Sequence, residues 1–179
     1  MLPLKEATAE KHKIAERKPF NIRMFRGQLD KPAYLLYLVQ QLEIFSAIEE
    51  NPLPHPALRR TSAVMSDISE LQHEGYPLPT VLEATSAYAN YLRSLGEVEI
   101  LPHVYLNYLA IMFGGQMMKA KVPSTGKMYD FSDMQGALAA VRAVQKDEWA
   151  GEVNKGFDYN IAIFDALENS ITGPETAIS

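Results

Sequence analysis

From Val104 to Met118 the chain carries no charged side chain, and beyond tyrosine hydroxyls its only polar side chains are Asn107 and Gln116. A stretch this apolar on every side is stable in water only with protein around most of its circumference, which predicts a central helix buried on several sides. Pro123 ends it. The rest of the chain must then supply amphipathic elements to surround that helix.

It does so with helical spacing throughout. Asp30-Lys31-Pro32 places a capping carboxylate and a first-turn proline ahead of Tyr34, Leu35, Leu38, Leu42, Phe45 and Ile48, which recur at three and four residues. Residues 3–17 read as a first helix with a thin apolar stripe, stopped by the Lys18-Pro19 step. After the proline-braked connection Asn51 to Pro56, a third helix runs to about His73. A fourth, capped by Thr80, carries Leu82, Tyr88, Tyr91, Leu92 and Leu95 and stops at Gly96. A helix near 133–146 follows the central one, and Trp149, Val153, Phe157, Ile161 and Phe164 mark a long last helix. No segment alternates with period two between hairpin signals, so no sheet is expected. The prediction is a single all-α domain over residues 1–170, a compact multi-helix bundle, with residues 171–179 as a disordered tail.

The 179 residues fit one domain, and 47% hydrophobic with 22% charged is the composition of an ordinary globular chain. The absence of Cys removes disulfides, thiolate metal sites and a Cys nucleophile, and fits a reducing compartment. The first residues lack the order of a signal peptide, and no apolar run approaches the ~20 residues of a membrane span. A cytoplasmic protein without a membrane span is expected. A formal charge of −5 argues against nucleic acid as a partner, since phosphate neutralisation needs a cationic excess.

Few residue patterns carry chemistry. Lys5, His12 and Glu16 are spaced by seven and four residues and project from nearly one helix face. Such a line suits an imidazole that binds haem iron, a carboxylate that holds its other nitrogen, and a cation for a propionate; it equally suits a solvated surface. Gly114-Gly115 interrupts the most apolar helix at a cost of about 1 kcal/mol per glycine. Close helix packing explains the pair as well as a kink that lets backbone lie against a planar ligand. Phe157, Asn160 and Phe164 share one face of the last helix, and a buried amide there needs partners. Only Glu70-Leu71-Gln72-His73 fits a di-iron Glu-x-x-His pair, and no phosphate loop, zinc motif or nucleophile elbow occurs. His55 and His103, each beside proline, read as structural.

In order along the chain, Leu4-Lys5-Glu6-Ala7-Thr8 with His12 and Ala15-Glu16, Phe25-Arg26-Gly27-Gln28, Ile48-Glu49-Glu50, Pro102-His103-Val104-Tyr105, Gly114-Gly115-Gln116 and Phe157 to Phe164 resemble the haem oxygenase family from about Leu4 to Leu167. The resemblance implies His12 as proximal iron ligand, Glu16 as its partner, Lys5, Tyr105 and Arg142 near the propionates, Gly114 and Gly115 over the haem, and Phe157, Asn160 and Phe164 around the pocket. It implies an oxidoreductase that uses haem as cofactor and substrate, consumes O2, draws electrons from a reductase or ferredoxin, and releases biliverdin, CO and iron. A monomer or weak dimer is expected. The sequence departs from the family pattern where an Asp, an Arg and a Tyr serve proton delivery: here stand Ile111, Asn107 and Phe45. Those departures leave a second reading, a haem carrier, store or sensor with little ring opening. A third, an interaction module that binds no haem, leaves His12 merely exposed.

Overall fold

The computed structural model describes residues 1–173. Among these described residues, nine α-helices run in the order α1 (Leu4–Ala7), α2 (Ala9–Glu16), α3 (Pro19–Phe25), α4 (Lys31–Ile48), α5 (Thr61–His73), α6 (Glu83–Arg93), α7 (Leu101–Lys119), α8 (Met134–Val144) and α9 (Ala150–Thr172), with single 3-10 turns at Pro56–Leu58, Lys127–Tyr129 and Asp147–Trp149. No strand occurs among the described residues. No helix among them is long and apolar enough to cross a membrane.

The core is organised by two long helices. α4 is flanked by α5 and α6, while α9 packs along α2, α3, α6 and α7. Tyr34, Leu38, Phe45 and Ile48 of α4, Leu71 of α5, Tyr88 and Leu92 of α6 and Tyr108 of α7 are fully enclosed. Phe45 meets Tyr108 edge-on with centroids 5.0 Å apart, a favoured arrangement for two ring quadrupoles. Asp30 caps α4 as its sequence predicts, accepting from the Ala33 N–H at 2.9 Å. Buried Asp67 accepts from the N–H groups of Lys127 and Met128, both at 2.9 Å, which fastens the turn after α7 onto α5.

Three departures from the expected elements have local causes. The first helix is divided at Thr8, whose hydroxyl donates to the Leu4 carbonyl at 2.9 Å and whose backbone leaves the helical region (φ −110°, ψ 2°). The stop before Lys18-Pro19 is met, since α2 ends at Glu16 and Lys18 is extended, but Pro19 also opens the unexpected α3 at its first position, where its missing N–H costs no hydrogen bond. α9 continues to Thr172, two residues into the expected tail, and residues 174–179 lie outside the described residues.

The central helix is also less enclosed than its composition predicts. α7 buries Val104, Leu106, Tyr108, Leu109, Ile111 and Met112, yet Phe113 is 62% and Met117 56% exposed. An apolar face is left uncovered on its second half.

Candidate functional site

α9 is the platform of the site, because α2 and α7 both rest on it. Leu4, Ala15, Leu106, Val153 and Phe157 form a small apolar cluster, separate from the main core, that ties α1, α2 and α7 to α9. The backbone N–H of Leu4 donates to Asp147 Oδ1 at 2.9 Å, which anchors the start of α1 beside the start of α9.

On this platform His12 stacks its ring on Phe157, centroids 5.6 Å apart and planes 21° from parallel. Its Nε2 stands 2.9 Å from Glu16 Oε1, and its side chain is 57% exposed. An imidazole in its neutral form has a donor on one ring nitrogen and a lone pair on the other, and a half-turn of the ring exchanges the two. Phe157 limits the ring to one plane. The spacing of four residues does bring His12 and Glu16 together, as the sequence predicts, while Lys5 sits exposed on α1, on the other side of the break at Thr8.

The two glycines of α7 have different roles. A Cβ on Gly115 would stand 3.0 Å from Cδ1 of the buried Tyr129 ring, so this glycine permits close packing. A Cβ on Gly114 would meet nothing nearer than Met118 Cγ at 4.0 Å. Ala110, Phe113, Gly114 and Met117 fall on one face at helical spacing, and that face is the uncovered one. The helix runs unbroken through both glycines.

Arg142 on α8 lies over this face, its guanidinium carbon 5.7 Å from the Phe113 ring centroid. Its charge reaches Tyr105, whose phenol burial pushes up and Arg142 draws back down. Tyr105 meets Trp149 edge-on at 6.4 Å. Tyr105 and Arg142, both named from the sequence, thus lie within electrostatic reach of each other.

Asn160 donates from Nδ2 to Asn107 Oδ1 at 3.2 Å, so the amide expected to need a partner finds it on α7. Phe164 packs against the main core. Ile111, only 5% exposed, belongs to that core as well and does not join the uncovered strip. Three residues of this region were not legible from sequence as functional: Tyr88, His103 and Glu152. His103 Nδ1 pairs with the Tyr88 hydroxyl at 2.7 Å and its Nε2 with Glu152 Oε1 at 2.9 Å. The partners lie 15 and 49 residues away, and no spacing rule joins them.

Together these groups offer a lone-pair donor on α2, an apolar strip with a side-chain-free position at Gly114, aromatic packing from Phe157, and a cation at Arg142. The set suits a flat, mostly apolar ligand that carries a metal at its centre and anions at its edge.

Comparison with known proteins points the same way. The family pattern described as Heme oxygenase matches residues 2–147. Heme oxygenase 1 of Gallus gallus is 28% identical over 209 residues, with 94% of this chain and 70% of the relative covered. Heme oxygenase of Porphyra purpurea is 25% identical over 205 residues, with 94% and 86% covered. Among solved structures, heme oxygenase-1 from the cyanobacterium Synechocystis in complex with heme superposes with a TM-score of 0.77 at 20% identity, covering 94% of this chain and 92% of the other. Heme oxygenase from Leptospira interrogans gives 0.73 at 21% identity, covering 90% and 96%.

Proposed function

The chain belongs to the haem oxygenase family, and from that premise we propose that it binds haem between α2 and α7 and opens the ring oxidatively. The observation that carries the reading is the pairing of His12 with Glu16 and Phe157 on α9, beside an α7 face that exposes Phe113 and Met117 around an unobstructed Gly114. Exposed large apolar side chains in one strip call for a ligand or partner.

His12 would hold the iron through the nitrogen that Glu16 leaves free, and the negative carboxylate would raise the basicity of the imidazole. Phe157 would keep the imidazole plane fixed. Gly114 would admit the macrocycle close to the α7 backbone, with Phe113 and Met117 excluding water from its faces. Arg142 and Tyr105 would meet the propionates, Lys5 adding charge at the α1 end. Bound haem, with O2 and electrons from a reductase or ferredoxin, supplies the chemistry that yields biliverdin, CO and iron.

Asn160 is the polar group that remains on the α9 side. It accepts or donates but holds no transferable proton of its own, so it would orient water in place of the carboxylate that the family pattern has where Ile111 stands. The same observation favours a second reading. With Ile111 buried and no charge between residues 104 and 118, the pocket would retain intact haem as a carrier, store or sensor.

Anaerobic titration with hemin, followed by O2 and an electron donor, separates these readings. A Soret band that decays to biliverdin supports ring opening, and a band that persists supports the carrier. A His12→Ala protein with the same affinity and spectrum as the parent would overturn the proximal assignment.

A further inference from the structure

The helix that carries His12 has little apolar anchorage of its own. Of the eight residues of α2 only Ala15 is buried, and Ile14, its one large aliphatic side chain, is 40% exposed. The chain on either side is held firmly. Before α2, Leu4 is enclosed and its backbone N–H donates to Asp147; after it, Phe20 lies fully inside the main core. The backbone leaves the helical region at both junctions, at Thr8 (φ −110°, ψ 2°) and at Lys18 (φ −64°, ψ 136°). α2 is therefore a strap, with its ends fastened by burial and its middle not.

What fastens the middle is charge. Lys11 Nζ meets Asp158 Oδ1 at 2.6 Å, and Lys18 Nζ, at the second junction, meets Asp165 Oδ1 at 3.1 Å. Further on, Arg23 of α3 holds Glu168 with two prongs, Nη2 to Oε1 at 2.8 Å and Nε to Oε2 at 3.2 Å. One turn before Asp158, Asn154 Nδ2 donates to the Ala7 carbonyl at 3.2 Å. Residues 154, 158, 165 and 168 are separated by four, seven and three, which sets them in one stripe along α9. In these pairs the cations stand on the α2 and α3 side and the anions on α9. Asp158 and Asp165 are half open to water. Contacts between exposed charges fade as salt shortens the Debye length, from about 30 Å at 0.01 M to about 3 Å at 1 M, and buried contacts respond much less.

We propose that α2 is a salt-sensitive strap whose seating on α9 is set by the Lys11 and Lys18 ion pairs, so that ionic strength controls entry and release of haem. At low salt the two pairs hold α2 down with His12 against Phe157. As salt rises, α2 lifts as a unit between Thr8 and Lys18, while Leu4, Phe20 and the main core stay in place. The assigned task rests on the haem reading; the motion does not, since it belongs to the haem-free chain as well. Lifting uncovers little besides Ala15 and the His12 stack on Phe157, so the ion pairs carry much of the resistance to opening. Two exposed pairs shift such an equilibrium by about threefold or more. A detached helix of eight residues is marginal in water, so the lifted strap also loses the protection of its backbone amides.

Amide hydrogen exchange of the haem-free protein at about 0.01 M and about 1 M NaCl reads the strap directly. It is measured in the parent, in the double variant Lys11→Gln with Lys18→Gln, and in the charge swap Lys11→Glu with Asp158→Lys. In the parent, exchange over residues 12–17 should quicken about threefold or more with salt while α4 and α6 keep their rates. The double variant should exchange at the faster rate at both salt concentrations, and the charge swap should restore the slow rate and its response to salt. Exchange over residues 12–17 that ignores salt, a rise shared by α4 and α6, or a charge swap that behaves like the double variant overturns the proposal. Transfer of bound hemin to a scavenging apoprotein should quicken with salt by a similar factor in the parent and not in the double variant; release that ignores salt in the parent overturns the control of haem by ionic strength. A chain that takes up no hemin overturns the haem reading and the strap's task with it, while the exchange rates still report separately whether α2 lifts.

Discussion

Replacing the two adjacent glycines of α7 by alanine, one at a time, should move stability in opposite directions. Each change removes a helix-interior glycine, which by itself stabilises by about 1 kcal/mol. At Gly114 nothing opposes that gain, since the new Cβ meets only Met118 Cγ at 4.0 Å. At Gly115 the Cβ would press to 3.0 Å of Tyr129 Cδ1, with Cβ and Cγ of the same residue at 3.6 and 3.7 Å. Tyr129 is 3% exposed and its 3-10 turn is held by Asp67, so the ring has little freedom to withdraw. Overpacking of this kind costs roughly 1–3 kcal/mol, which outweighs the propensity gain and leaves a net loss of about 1 kcal/mol. The two variants should therefore differ by ~2 kcal/mol in urea unfolding, and by roughly 4–8 °C in Tm for a chain of this size. Hemin titration should show the reverse order: Gly114→Ala, the more stable protein, binds more weakly because its methyl group stands where the macrocycle would lie. Stability shifts of the same sign, or unchanged hemin affinity in Gly114→Ala, would refute the division of roles between the two positions.

Ile111→Asp places a carboxylate in the core, where without a partner it costs a few kcal/mol or titrates upward; thermal unfolding should show the loss, and single-turnover product analysis should show faster biliverdin formation if the carboxylate reaches the slot. Stability should also fall in acid. The His103 imidazole is held below its ordinary 6.5, so the folded state disfavours its second proton, and this contribution is complete above pH 6.5 and lost as pH falls from there toward the folded value. Burial pushes Glu152 up, but hydrogen bonds from Tyr91 and His103 outweigh it and hold the carboxyl below its ordinary 4.5; its contribution is present above that value and lost as pH falls through the folded one. Urea midpoints measured between pH 8 and 4 should decline in the parent and decline less in His103→Gln; equal slopes would contradict the assignment.

The elements with strong periodicity were legible because one chemical preference governs each of them. Leu35, Leu38 and Phe45 all seek the same side of α4, and Asp30 has no better use than as its cap. The boundary at Thr8 was not legible, because a threonine hydroxyl competing for the Leu4 carbonyl is a contest of about 1 kcal/mol that sequence alone does not decide. α3 was missed because a proline reads as a stop from one side and as a start from the other. In the site, His12 with Glu16 was readable from spacing of one turn on one helix. The pairings of Arg142 with Phe113, His12 with Phe157 and His103 with Glu152 were not, since each joins different helices.

That division has a physical origin in the charge distribution. With no charged side chain from Val104 to Met118, α7 supplies shape and apolar surface but no field of its own. The charges proposed for the slot come from other elements, Glu16 from α2, Arg142 from α8 and Lys5 from α1, while Glu152 of α9 lies behind it at His103. α9 is the element that gathers most of these contributions, because it carries Phe157 against His12, Asn160 against Asn107 and Glu152 against His103 within three turns of one helix. Polar groups buried along such a helix tolerate little change in register, since a shift of one residue rotates each of them by about 100° away from its partner. The glycine at 156 is what lets that register exist: it brings α9 close enough for Tyr88 and His103 to lie against its backbone, where any side chain would collide with Leu106. An insertion of one alanine between Asn154 and Phe157 should for this reason disrupt both the His12 stacking and the His103 pairing with Tyr88 at once, whereas an insertion in the exposed loop at Glu97 should spare both.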